Sequence, residues 1–377
     1  MSLAQDGGIA LHVSQERAIA HSKAQAVSLR PAAIDVLSEI FCMANIPESS
    51  LDLVRSAIRR HAQVALHFHP DRPVGSRLVA RGLLEDGIYR SQFETGISNG
   101  SVSAHSGGFR DLWERSLFQG AYHSDDVSPS HRPKYGALNV MRNSEGPAPR
   151  FGSCYLVLKP EVSARSTFTF GGSQAEPKYR GTLDEFDAVL SALFEESFTR
   201  DFALGVSGIR PPQLMARILD LQEPLTNVSS GAQCHNLDHF IEAQVHGDVR
   251  LDRDVEALVV DPSFQGSDVW QDLEGMAAKY RFPLHSHHGF SVRVEDVPVD
   301  LRGPSMPSLA AAIAKKGQLD AEVIGRAVRG LVTHPESWSS RGTHAQVLQE
   351  MKLIWHVLVR VGRPYGRIID AATAEIK

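Results

Sequence analysis

The chain has 377 residues, 42% hydrophobic and 22% charged, which is enough for one large core or two modest ones. A formal net charge of -5 and a pI near 6.4 supply no global basic field and argue against nucleic acid as a partner. Three widely spaced cysteines, Cys42, Cys154 and Cys234, build neither a disulfide framework nor a zinc knuckle, so folding in a reducing compartment is expected.

Residues 1–30 are polar, lack the apolar centre of a secretory signal, and read as a flexible leader. No apolar run reaches the roughly 18 residues that a membrane span needs, so none is expected. PAAIDVLSEIFCMANI (31–46) sets Ile34, Val36, Leu37, Ile40 and Phe41 at helical spacing, and SSLDLVRSAIRRHA follows with Ser49 or Ser50 as its cap. These make residues 31–62 a helical N-terminal region.

From residue 63 the texture changes to short apolar runs cut by Gly, Pro, Ser and Asn. VALHF, YGALNV, CYLVL, STFTF, HFIEAQV, VEALVV and FSVRV read as strands. Between them residues 182–204 read as a helix with Phe186, Val189, Leu190 and Leu193 on one face. Strands joined mostly by irregular loops predict an α+β domain over 63–300 rather than a doubly wound parallel sheet. Over 301–377 the pattern is helical again: SLAAAIAKKG with Gly317 as its C-cap, then DAEVIGRAVRGLV and HAQVLQEMKLIWHVLVRVG.

The stretch HFHPDR (67–72) admits two chemistries. Alternation along a strand puts His67, His69 and Asp71 on one face, as a metal-dependent hydrolase would need, with His285, His287, His288, Cys234, His235 and His239 as further ligands. The same strand delivers Arg72 to a terminus with free backbone amides, a setting that suits a pyrophosphate. In HFIEAQV, Phe240, Glu242 and Gln244 share one strand face and Ile241, Ala243 and Val245 the other, so a carboxylate projects from an otherwise apolar element. Such a carboxylate is costly to bury without a task, unless that face is simply wet. FETGISNGS places Phe93, Thr95, Gly96 and Ser98 either against a ligand or in a plain turn, and Tyr135 beside Gly136 is a stacking aromatic or ordinary sheet packing. Ser166-Thr167 offers two adjacent hydroxyls on a strand. Walker loop, GxGxxG after a strand, GxSxG elbow and HExxH are all missing.

Taken in order, HFHPDR, SQFETG, YGALN, FGSCYLVLKP and FIEAQVHG resemble mono-ADP-ribosyltransferases over about residues 60–265. They are also similar to bacterial effectors of the CteC type, which attach ADP-ribose to a threonine of ubiquitin. The resemblance implies a split β-sheet core with flanking N- and C-terminal helices and NAD lying across the cleft. In it Arg72 holds phosphate, and Glu242 is the catalytic glutamate with Gln244 orienting substrate. His67, His69, Phe93, Thr95, Gly96, Ser98, Tyr135 and Gly136 line the NAD pocket. The serine or threonine element of the family is left open among Ser98, Ser153 and Ser166. Phe240 stands where arginine-modifying members carry a second glutamate, which implies a hydroxyl acceptor. NAD as co-substrate, no metal, and a protein partner such as ubiquitin follow. So does a soluble product of the bacterial cytoplasm, exported by a specialised secretion machine. The alternatives are the metal-dependent hydrolase and a non-catalytic module that binds a nucleotide or a protein.

Overall fold

The computed structural model describes residues 9–97, 104–223 and 233–366. Eight strands form one mixed sheet: β1 (Val64–Phe68), β2 (Lys134–Leu138), β3 (Cys154–Leu158), β4 (Ser166–Phe170), β5 (Arg180–Thr182), β6 (Ile241–Val245), β7 (Val255–Val260) and β8 (Leu284–Ser286). Their spatial order is β8-β7-β3-β1-β2-β6-β4-β5. All neighbours are antiparallel except β7 and β8. Packed around them are α1 (Val13–Met43), α2 (Ser50–His61), α3 (Val79–Asp86), α4 (Phe109–Leu117), α5 (Asp187–Arg200) and α6 (Pro211–Leu219). The later helices are α7 (Asp268–Tyr280), which connects the parallel pair, α8 (Met306–Ile313), α9 (Ala321–Thr333) and α10 (His344–Val361). The protein is therefore α+β, as the sequence predicts.

Side chains alternate across the sheet, and the two faces differ in kind. On one, Leu66, Leu156, Leu258, Phe168, Ile241, Ala243 and Val245 join the main core beneath the helices; each large apolar side chain buried there contributes roughly 1.5–3 kcal/mol. On the other, Ala65, Tyr155, Val157, Ala257 and Val259 form only a small separate cluster. The rest of that face, on β2, β6 and β4, is polar.

The sheet is not evenly zipped. β1 pairs with β3 at Ala65 through Phe68, but with β2 only at Val64↔Leu138 and Ala65↔Ala137. A Cβ on Gly136 would lie 2.5 Å from the Ala65 carbonyl oxygen and 2.7 Å from Leu66 Cδ2. Only glycine allows the backbones to press together there, and past that point the ladder between β1 and β2 stops.

Several elements differ from the sequence reading. Residues 13–30, expected as leader, are the first half of α1. Its buried residues there are Ser14, Gln15, Ala18, Ser22 and Ala26, small or polar side chains that create no hydrophobic periodicity. The 182–204 helix shortens to Asp187–Arg200 because Arg180–Thr182 pairs with β4. FSVRV keeps only Val292–Arg293, paired with Gln318–Leu319. α3, α4, α6 and α7 were not foreseen. In α4 the buried positions include Asp111 and Glu114 while Phe109 is 66% exposed, the inverse of the usual helical pattern. Among the described residues no helix is long and apolar enough to cross a membrane.

Candidate functional site

The polar face is organised in two rows. One runs Ala65, Ala137, Glu242, Thr169 and Arg180 across β1, β2, β6, β4 and β5; the next runs Tyr135, Gln244, Thr167 and Thr182. The two alanines of this row are fully buried, and Glu242 itself is 4% exposed. Glu242 Oε1 accepts hydrogen bonds from Ser173 N (3.1 Å) and Gln244 Nε2 (3.0 Å). Gln244 is fixed in turn by Thr167, whose hydroxyl donates to Gln244 Oε1 at 2.8 Å. Thr167 also meets His246 Nε2 at 3.1 Å, and His246 Nδ1 meets the Tyr122 hydroxyl at 2.5 Å. Burial holds the His246 imidazole neutral, its pKa pushed down to about 3. A buried chain of hydrogen bonds thus sets the aim of the glutamate.

Next to it, Tyr135 donates to Glu114 Oε1 at 2.9 Å, and Arg132 holds Glu114 Oε2 at 2.8 Å. The Arg132 guanidinium lies 4.4 Å from the Phe93 ring centre, and Arg110 lies 4.4 Å over Tyr135. Arg110 reaches Ser173 Oγ at 3.2 Å, so one residue, Ser173, touches both Arg110 and Glu242. Two residues before the glutamate, Phe240 is buried edge-on against Phe151 at 5.3 Å.

Cations from three other segments gather at this place. Arg150 sits in the turn Pro149–Phe151, donates to Leu237 O at 2.9 Å and pairs with Asp238. Arg302 approaches the same carboxylate at 3.8 Å. Lys352 and His356 are one turn apart on α10, whose Trp355 Nε1 donates to Pro149 O at 3.0 Å and so ties the helix to the Arg150 turn. Burial first, then the guanidinium groups of Arg150, Arg302 and Arg110, push Lys352 down to about 8. Burial and Arg150, Arg302 and Lys352 push His356 down to about 3.

The residues singled out from the sequence are placed unevenly. Glu242, Gln244 and Tyr135 share the polar face, and Phe93 joins them through Arg132. His67 lies on that face too, but its ring is used up internally, with Nε2 accepting from Ala148 N at 3.2 Å and Nδ1 3.3 Å from Gly152 O. His69 stands edge-on to Trp355 at 5.0 Å. Gly136 faces the opposite side, toward Val64 and Leu66; its role is the close approach of β1 and β2. Thr95 and Gly96 close a capped turn: Thr95 Oγ1 donates to Ser91 O at 3.2 Å and Gly96 is left-handed at φ 66°. Arg72 is 3.9 Å from Asp71, which is 1% exposed, and no hydrogen bond or ion pair joins Arg72 to Glu242. Asp71 is wedged against α9, where a Cβ on Gly325 would meet its Oδ2 at 1.2 Å. Ser166 turns its hydroxyl back to Val162 O at 3.0 Å, Ser153 Oγ is buried without a partner among the described residues, and Ser98 lies outside them.

The other histidines and Cys234 are dispersed. His287 Nε2 meets Ser153 O at 2.8 Å, His288 Nδ1 meets Glu145 at 3.2 Å, His235 Nδ1 meets Val359 O at 2.7 Å, and His239 faces Glu196 at 3.4 Å. Among the described residues no three His, Cys, Asp or Glu side chains converge as a metal would need.

Thr167, Thr169, Ser173, His246 and the cations were not foreseen as site residues. Alternation in STFTF puts Thr167 and Thr169 together on one face, a signal present in the sequence. Nothing local marks Arg150, Arg302 or Lys352. Residues 63–361 match the family described as a protein of unknown function, DUF3626. The chain belongs to this family. No curated protein matches it. The DUF3626 span takes in Glu242 and also Arg302, Lys352 and His356, whereas α1 and α2 precede it.

Proposed function

We propose that this DUF3626 protein is an NAD-dependent mono-ADP-ribosyltransferase that modifies a hydroxyl side chain of a protein, threonine of ubiquitin being the acceptor its resemblance implies. The observation that carries the reading is Glu242: a buried carboxylate in mid-strand, held by Ser173 N and Gln244, next to alanines and to the place where β1 and β2 stop pairing. The short ladder between β1 and β2, in an otherwise continuous sheet, is the feature that supports the split sheet the resemblance implies. Cleavage of the bond between nicotinamide and ribose leaves positive charge on the ribose. A preorganised carboxylate stabilises that charge far better than water does. The acceptor oxygen then bonds to the same ribose carbon, nicotinamide departs with the bonding electrons, and the hydroxyl proton is released. The Tyr135 ring, covered on one side by Arg110, gives an aromatic wall for a flat heterocycle.

The test is transfer of label from biotinylated NAD to ubiquitin and to lysate proteins, in EDTA, comparing the unaltered protein with Glu242→Gln. Label that disappears in the variant supports the reading. Label on lysate proteins but not ubiquitin keeps the chemistry and replaces the acceptor. Equal labelling in both proteins, or none in either, refutes it. NAD binding without nicotinamide release would instead favour a nucleotide-binding module.

A further inference from the structure

Four permanent or potential cations, Arg110, Arg150, Arg302 and Lys352, surround one region whose nearby carboxylates are Asp238 and Glu242, with Glu114 beside Arg110 at its rim. Asp238 is shared by Arg150 and Arg302 and is 58% exposed, so it neutralises little of the cluster. The guanidinium Nε atoms of Arg110, Arg150 and Arg302 are buried and have no hydrogen-bond partner among the described residues. Both ring nitrogens of His356 are in the same condition, although the residue is only 2% exposed. A buried imidazole with neither nitrogen satisfied, on the helix face that also carries Lys352, is costly unless something else occupies the space. Like charges brought together without counterions raise that cost. An anion with several acceptor oxygens would remove both costs at once.

We propose that Arg150, Arg302, Lys352 and His356, with Arg110 at the rim, form a binding site for a phosphate-bearing ligand, specifically a diphosphate ester, beside Glu242. They come from three parts of the chain: the Pro149–Phe151 turn, the loop before α8, and α10, which carries both Lys352 and His356 and which the Trp355 bond to Pro149 O holds in place. A diphosphate offers enough oxygens to reach all of them, whereas a monophosphate would leave donors over. That the natural ligand is NAD rests on the transferase reading; the site itself does not. Arg72 stands 3.9 Å from buried Asp71, with its Nη1 making no hydrogen bond among the described residues, and is not one of the four residues assigned to the site.

The experiment is calorimetric titration of the full chain with inorganic diphosphate and with ADP-ribose. Lys352→Met and Arg302→Gln are compared with Glu242→Gln and with the exposed control Arg360→Gln, and each protein's melting temperature is checked. Loss of one charge-assisted hydrogen bond corresponds to about a 10- to 100-fold weakening. That is expected for Lys352→Met and Arg302→Gln with both ligands and not for Arg360→Gln, while Glu242→Gln, which removes a negative charge near Arg150, should bind diphosphate at least as tightly as the unaltered protein. The two site variants lie on separate elements, so misfolding of one leaves the other decisive. Failure of diphosphate to bind the unaltered protein, or equal affinity in all four variants, overturns the site. Diphosphate binding as expected without any transfer from NAD would retain the site and remove the transferase. Transfer from NAD with an unchanged KM in Lys352→Met would do the reverse.

Discussion

The two faces of the central sheet are made from the same strands, yet they are stabilised by opposite means. In β4, Phe168 points into the main core and is fully buried against Phe186 at 5.5 Å, while its neighbour Thr167 points the other way and hydrogen-bonds Gln244 and His246. In β6, Ile241, Ala243 and Val245 enter the core, and Glu242 and Gln244 enter a polar network. Non-directional packing on one side leaves the other free to hold groups whose orientation matters more than their burial. Stability and site chemistry are thereby separated by a single step along a strand.

That separation can be broken in stages. Phe168→Ala should be the most damaging, costing ~3–5 kcal/mol in urea unfolding, and any residual activity should track the folded fraction. Glu242→Gln should do the opposite: a roughly hundred- to thousand-fold fall in labelling from NAD, with a melting temperature close to that of the unaltered protein. A variant that loses both together would mean that Glu242 is a structural residue. Gly136→Ala lies on the boundary, since the new methyl group would meet the Ala65 carbonyl. A loss of ~1–3 kcal/mol is expected, and an unchanged denaturation midpoint would show that β1 and β2 can separate without cost. Thr167→Val keeps the shape but leaves Gln244 Oε1 without its donor. We expect ~1–3 kcal/mol, together with a smaller fall in turnover than Glu242→Gln gives.

A further effect is one of pH. Lys352 faces Arg150, Arg302, Arg110 and His356, with Asp238 and Glu242 on the same side, and burial beside the three guanidinium groups brings its pKa down to about 8 from the ordinary lysine value of 10.5. Between those values the unfolded chain binds more protons than the folded one, so stability should rise with pH across the window. Below about 8 the buried charge is present and the penalty is full. Lys352→Met should flatten the rise in urea unfolding measured at about pH 7.5, 9 and 10; an identical slope in the variant would show that another group titrates.

Much of this architecture is legible in the residues, and the exceptions have physical causes. VALHF, CYLVL, STFTF and VEALVV appear in the structure with the same limits as in the sequence, because β-branched and aromatic runs bounded by turn residues have few other conformations. Glu242 was visible through strict alternation within HFIEAQV. The first half of α1 was not, because Ser14, Ala18, Ser22 and Ala26 pack by being small and leave no apolar stripe. FETGISNGS reads as ligand wall or as a plain turn, and its first residues do form a capped turn, since Ser91 and Glu94 cap each other's backbone. The cations were illegible for a different reason: a lone Arg in GPAPRFG or a Lys on an apolar helix acquires meaning only when distant segments meet.

The attachment of α10 to the Pro149 turn also has a temporal side. On a ribosome the N-terminal strands emerge first, and the roughly 110 residues between Glu242 and Trp355 take ~6–20 s to follow at ordinary rates of synthesis. During that interval the glutamate can already be seated in its strand while Lys352, His356 and the tryptophan that fixes the Arg150 turn have yet to be made. A nascent chain therefore carries the carboxylate without the helix that completes its surroundings, and the constellation closes only once α10 has emerged.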